Sequence, residues 1–197
     1  MVPKKGKYLV VDQETLNKIR GLDGVLGASE VIEEKVVFSN ELNSGATILK
    51  GVFADYHLTP ALDSLSLVGV FSPEKENTIY LGADLASSLE VVLSKEFSLL
   101  ATAPKSNTNS LFGFSPFSSK QFDIEGIYQI SSDIEKKYAF TSLASMASLT
   151  GAQENAFTSV EIFSNKSLTD NDVKAFIIDE LGENAEVLTK QDLNPAL

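Results

Sequence analysis

From Tyr138 to Thr189 the hydrophobic pattern keeps changing its period, and capping or turn residues mark the changes. "YAFTS" reads as a short strand. "SLASMASLTG" reads as a helix whose apolar side is Leu143, Met146, Ala147 and Leu149. "AFTSVEIF" (156–163) reads as a strand and "SLTDNDVKAFIIDELG" as the clearest helix in the chain. There Thr169 and Asp172 are spaced as a capping box, Val173, Phe176 and Ile177 form the stripe, and Gly182 stands at the end. "AEVLT" closes as a strand. Strand, helix, strand, helix, strand confines this third to an α/β or α+β lobe.

The first third follows related rules. "KYLVV" (7–11) is a short strand, and Asp12 is placed to cap the helix "QETLNKIRG", with Leu16 and Ile19 on one side. "VLGASEVIEEKVVF" (25–38) is Val- and Ile-rich and predicts a long strand. "NELNSG" is turn chemistry, and "ATILKGVFADY" (46–56) is the returning strand. In the middle, Pro60 and Pro73 bracket an apolar stretch, "ALDSLSLVGVF". Ile79 and Leu81 alternate as in a strand, while Leu85, Ala86 and Leu89 fall at helical spacing after Asp84. "FSLLATA" (97–103) and "KQFDIEGIYQI" (120–130) read as strands.

Composition narrows the chemistry. A chain of 197 residues suits one large domain or two small lobes. With no Cys there is no disulfide, thiolate or Cys-based zinc site. The net charge of −11 repels phosphate backbones and argues against nucleic acid as a partner. No apolar run approaches the ~20 residues of a membrane helix. "MVPKKGKYLV" lacks the apolar region and cleavage site of a signal peptide, and Met1 reads as an expression start on a piece of something longer.

Catalytic groups are scarce. The one histidine, His57 in "GVFADYHLTP", has no nucleophile on a sharp turn beside it and reads as a loop or strand-end residue. "TDNDVKAF" lacks the Gly and distal Glu of a calcium loop, and its acids suit a helix start. Glu33 and Glu34 alternate across a strand, so one of them at most faces a given site. "GLDGVLG" follows a helix, whereas a dinucleotide loop must follow a strand; its glycines read as a helix stop and a tight turn. No metal, cofactor or catalytic residue is expected.

The order of these segments resembles the extracytoplasmic core domain of ABC transporter permeases of the MacB and lipoprotein-releasing LolC/LolE type. "LDGVLGASEVIEEKVVF" is similar to the family's opening turn and long strand, and "ILKGVFADY" to its second strand. "IYLGADLASSLEV" resembles its I-x-L-G-x-x-L-A-x-x-L segment, with Ile79, Leu81, Gly82, Leu85, Ala86 and Leu89 in register. "SKQFDIEGIY" resembles a Lys-x-Phe strand, and "LTKQDLNPAL" the last residues before a membrane helix. The usual Gly-Asp pair after the L-A-x-x-L helix is missing here, where the chain reads "VVLSKEFSLL".

The resemblance implies an α+β, two-lobed periplasmic core domain. Residues 1–58 and 128–197 would form an α/β, porter-like lobe, with a mostly-β lobe inserted at 59–127. It implies a non-enzymatic, periplasm-facing part of a bacterial inner-membrane protein. A separate cytoplasmic subunit would hydrolyse ATP, and a second permease subunit, the same or related, would complete the transporter. Its task would be release of outer-membrane lipoprotein cargo to a periplasmic chaperone. The alternatives are a MacB-like efflux permease working with an outer-membrane partner, or a free-standing secreted or surface binding protein.

"NTNSLFGFSPFSSKQF" (107–122) sets Phe112, Phe114, Phe117 and Phe122 among turn-forming residues. In the lipoprotein-releasing permeases the resemblance implies a protruding hairpin here that recruits the chaperone. Phe112, Phe114, Pro116 and Phe117 would then be its partner-binding residues, in a loop spanning 107–119, since rigid aromatic anchors dominate interface energy. The other reading is a lid folded onto its own domain.

Overall fold

A computed structural model describes residues 1–56, 58–91, 98–105, 116–130, 137–165, 168–181, 184–189 and 192. The strands are β1 (Val2–Pro3), β2 (Leu9–Val10), β3 (Val25–Ser39), β4 (Ser44–Val52), β5 (Ser66–Gly69), β6 (Thr78–Gly82), β7 (Ser98–Pro104), β8 (Phe117–Tyr128), β9 (Tyr138–Ser142), β10 (Ala156–Phe157), β11 (Ser159–Ser164) and β12 (Ala185–Glu186). The helices are α1 (Gln13–Arg20), α2 (Thr59–Ser64), α3 (Ala83–Ser88), α4 (Leu143–Thr150) and α5 (Asp170–Leu181). Most of the expected strands and helices are present, while "AEVLT" contributes only the two residues of β12.

The caps act as their sequence dictates. The Thr15 N–H donates to Asp12 Oδ1 at 2.8 Å, opening α1. Ser142 accepts from the Ser145 N–H at the start of α4, and Gly151 closes that helix in the left-handed region at φ 69°. Thr169 and Asp172 bond reciprocally ahead of α5. Gly21 terminates α1 and Gly24 takes φ 91° in the turn into β3, as expected for the three-glycine segment.

The chain divides into two compact units, Met1–Val31 with Glu154–Leu197, and Ile32–Gln153. The sequence reading places the divisions at 58/59 and 127/128. The difference has a topological cause. β9 pairs in parallel with β4, from Ile48 opposite Tyr138 to Val52 opposite Ser142, and antiparallel with β6. That pairing draws residues 32–58 and 128–153 into the same unit as the middle of the chain.

In the first unit β11 runs antiparallel to the start of β3, β2 pairs with β10, and β1 pairs with β12. Leu16 and Ile19 of α1, Val173 and Ile177 of α5, and Leu9, Val11, Val31 and Val160 are buried. Lys18 bridges to Glu180 at 2.9 Å, linking α1 to α5.

In the second unit six strands pair in a closed circuit: β3, β4, β9, β6, β8, β7 and back to β3. Five of the buried aromatic rings touch one another in its core. Tyr80 stacks on Phe71 at 5.5 Å between centroids, and Tyr128 meets Tyr80 and Phe140 at 5.4 and 5.7 Å. Phe140 also reaches Phe71 and Tyr56. Two of the buried phenols donate to carbonyls, Tyr80 to Leu62 and Tyr128 to Tyr138. Lys50 is buried on β4 against Glu33 at 3.0 Å, with its ammonium over the rings of Tyr56 and Tyr138.

Candidate functional site

The aromatic segment belongs to a long hairpin in the second unit. β7 and β8 pair antiparallel without a break, from Ser98 opposite Asp123 to Pro104 opposite Phe117. One further bond, from the Lys105 N–H to the Pro116 carbonyl at 2.9 Å, extends the pairing to the edge of the described residues. Phe112 and Phe114 lie outside them.

Strand alternation sorts the rest of this segment onto two faces. Leu99, Ala101, Ala103 and Phe122 are buried, with Leu99 directly opposite Phe122. The outward face carries Leu100, Thr102 and Pro104 on β7, opposite Gln121, Ser119 and Phe117 on β8. Thr102 and Ser119 hydrogen-bond across it at 2.9 Å, and Gln121 donates to Ser98. Phe117 is 52% exposed, Pro116 is exposed and Leu100 is partly so. Of the four phenylalanines, then, Phe122 is a core residue and Phe117 an outward one. The hairpin's outer face is apolar at Leu100, Pro104 and Phe117 and otherwise neutral and polar up to Gln121.

At its loop end the hairpin borders a cleft of about 180 Å³ lined by Lys105, Ser118, Ser148, Leu149, Thr150 and Gly151. That is below the ~300 Å³ typical of small-molecule sites. Among the described residues there is no group of three or more His, Asp or Glu able to hold a metal ion. His57 lies outside the described residues. Glu33 is engaged by Lys50, and the Glu34 carboxylate accepts from the Lys35 N–H. Asp172 lies in the cap of α5, where the Thr169 hydroxyl, then its N–H, hold its carboxyl below the usual range.

A second feature lies in the first unit. β1 and β12 pair antiparallel, Val2 opposite Glu186 and Pro3 opposite Ala185, and the Lys4 N–H donates to the Asn184 carbonyl at 3.0 Å. Met1 before β1 and the residues after β12 therefore lie at the same end of this ribbon. Just beyond β12 the Thr189 N–H and hydroxyl donate to Asp192 at 2.8 and 2.9 Å, and the Asp192 N–H returns a bond to the Thr189 hydroxyl. This second capping box was not read from the sequence, although "TKQD" has the same T-x-x-D spacing as "TDND". Lys174 of α5 lies 3.8 Å from Asp192.

Comparison with solved structures places this architecture. The periplasmic region of MacB from Actinobacillus actinomycetemcomitans aligns over 93% of this chain and 83% of its own, with TM-score 0.62 and 7% identity. The chain has the fold of a MacB-type periplasmic domain. A second match is the extracellular domain of the noncanonic ABC-type transporter YknZ from Gram-positive bacteria. It aligns over 87% of this chain and 80% of its own, with TM-score 0.59 and 12% identity. No family model and no curated protein matches the sequence. At these identities the MacB-type fold is carried by topology, since two sequences this far apart share a pattern of burial and few side chains. Among the described residues no helix is long and apolar enough to cross a membrane.

Proposed function

We propose that the chain is the extracytoplasmic domain of an ABC transporter permease and works without catalysis of its own. The observation that carries this reading is the β1–β12 ribbon. Antiparallel pairing puts the residue before β1 and the residue after β12 at the same end of the ribbon, as two neighbouring membrane anchors require. In this reading ATP is hydrolysed on a separate cytoplasmic subunit, and membrane helices carry the motion into the first unit. The domain supplies shape and contact surfaces to a second permease subunit and to cargo.

The outward face of the β7–β8 hairpin is the proposed docking element, with Phe117 and Pro116 as its described members and Phe112 and Phe114 beyond them. Lipoprotein release to a periplasmic chaperone is the first reading of its task. A MacB-like efflux role with an outer-membrane partner is the second, favoured by the fold match to the MacB periplasmic region.

A pull-down from periplasmic extract tests this, comparing the intact chain with one lacking residues 107–119. Hairpin-dependent recovery of a lipoprotein carrier supports release. Hairpin-dependent recovery of an outer-membrane channel supports efflux. Equal recovery by both chains refutes docking through the hairpin. For the permease assignment itself, a full reading frame without apolar spans of ~20 residues on both sides of this domain decides against it.

A further inference from the structure

β1 is short but central. On one side it pairs with β12, and on the other Met1 pairs with β11. The Met1 amino group donates to the Val160 carbonyl at 2.8 Å, and the Val160 N–H returns a bond to the Met1 carbonyl at 2.8 Å. Such reciprocal bonds join directly opposed residues of an antiparallel ladder. The Met1 ammonium thus stands where a strand has a peptide N–H. Met1 is 8% exposed, and burial holds its amino group below the usual range, against a smaller pull from Glu161.

Both neighbours of β1 run on past Met1. β11 continues beyond Val160 beside β3. Because Val160 bonds to Met1, alternation turns the N–H and C=O of Ile162 to that same side, away from β3. On the other flank "AEVLT" reads as strand as far as Thr189, yet β12 stops at Glu186, opposite Val2. Val187 and Leu188 follow it, half-buried. Among the described residues no strand pairs with Ile162 on that side, nor with Leu188. β12 ends as a strand where its partner β1 ends.

We propose that the residues immediately preceding Met1 in the full-length protein continue β1 backwards, between Glu161–Ile162 of β11 and Val187–Leu188. The inference rests on the permease reading for the chain that leads into Met1. The registers already present set the details. The residue before Met1 falls opposite Glu161 and Leu188, and the one before that opposite Ile162. The latter donates its N–H to the Ile162 carbonyl, so it is not proline. It shares the buried face of Met1, so its side chain is apolar. The first membrane anchor is then tied to the sheet by ladder bonds in place of a loose linker.

The test extends the chain by its own preceding residues and follows amide exchange by NMR. The Ile162 and Leu188 amides should exchange about tenfold more slowly, or slower still, than in the unextended chain, with a rise in melting temperature. Acetylation of Met1, which removes the charge and adds no strand, should leave both amides as they are. Proline placed two positions before Met1 should cancel the protection at Ile162. Unchanged exchange at both amides overturns the proposal, as does protection of Ile162 that survives the proline. A natural proline or charged residue at that position overturns it as well. Apolar spans on both sides of the domain with unprotected amides would leave the permease reading standing and this one refuted.

Discussion

Arg20 on α1 holds Glu30 on β3 by a charge-assisted hydrogen bond of 2.6 Å, and its Nε also donates to the Ala28 carbonyl. The Glu30 side chain is only 2% exposed. A carboxylate taken this far out of water relies on its partner, and removing one member of such a pair typically costs about 3–5 kcal/mol. Arg20→Ala should therefore lower the urea midpoint strongly. Glu30→Gln should cost less, since a neutral amide still accepts from the guanidinium and the charge left over is that of Arg20, which reaches water, rather than the buried carboxylate. Equilibrium unfolding of the two variants checks this; equal losses would mean that the ion pair is not what fastens α1 to the strand.

Gly51 marks the closest approach of β4 to α4. A Cβ built there would lie 2.3 Å from Met146 Cβ and 3.3 Å from Leu143 Cα. The obstacle is thus the near end of a side chain and the helix backbone, and neither can step aside. Gly51→Ala should destabilise by about 3 kcal/mol, the upper end of ordinary overpacking. Met146→Ala should fail to rescue it, because that change keeps the clashing Cβ. Thermal melts of the two single variants and the double decide the point: a double variant more stable than Gly51→Ala alone would show that the Met146 side chain beyond Cβ was the obstacle.

These two contacts also show what a sequence conveys. The Asp12 cap, the Thr169–Asp172 box, the long β3 strand and the helical spacing of Leu85, Ala86 and Leu89 involve partners within four residues or a simple period, so they were legible. Gly51 against Met146 spans 95 positions (146 − 51), and nothing local to either residue announces it. The same holds for β9 pairing in parallel with β4, which moves the boundary between the units away from where the sequence reading sets it. In the candidate site, the alternation of Phe122 and Ile124 with charged residues marks Phe122 as a strand residue. That Phe117 faces outward depended on its register against Pro104. The apolar run "SLSLVGVF" was visible, but its place at an open edge follows from strand order, which the run itself does not encode.

Three aspartates, each bonded to a threonine three residues away, should make stability fall in acid. Asp12 is held below the ordinary range, first by the Thr15 N–H and then by the Thr15 hydroxyl. Thr169 acts alike on Asp172, its hydroxyl first. Asp192 is lowered first by the Thr189 N–H, then by its hydroxyl, with a smaller contribution from Lys174. A folded-state pKa below the unfolded one gives stability that is present above the ordinary aspartate range. It is lost as pH falls through the lowered value. Asp12→Asn keeps a cap acceptor without the titration. The melting difference between the natural chain and Asp12→Asn should shrink steadily as pH is lowered through the acid range. A difference that does not change with pH would mean that the carboxylate charge does nothing at this cap.

Phe117 and Phe122 stand five positions apart on β8 (122 − 117) and should respond oppositely to truncation. Phe122 is fully buried opposite Leu99, whereas Phe117 is 52% exposed opposite Pro104. Phe122→Ala opens a cavity in the second unit, and such changes cost about 3–5 kcal/mol. For a chain of this length that corresponds to a fall in Tm of roughly ten degrees. Phe117→Ala removes a half-solvated ring, and its melting should stay within about two degrees of the natural chain. If the outward face docks a partner, Phe117→Ala should nonetheless abolish hairpin-dependent capture from periplasmic extract, because exposed aromatics are the anchors of such contacts. The pairing of a small melting change with lost capture is what separates a docking surface from a lid. A drop in Tm at Phe117 comparable to that at Phe122 would identify the ring as part of the domain's own packing and remove it from the proposed interface.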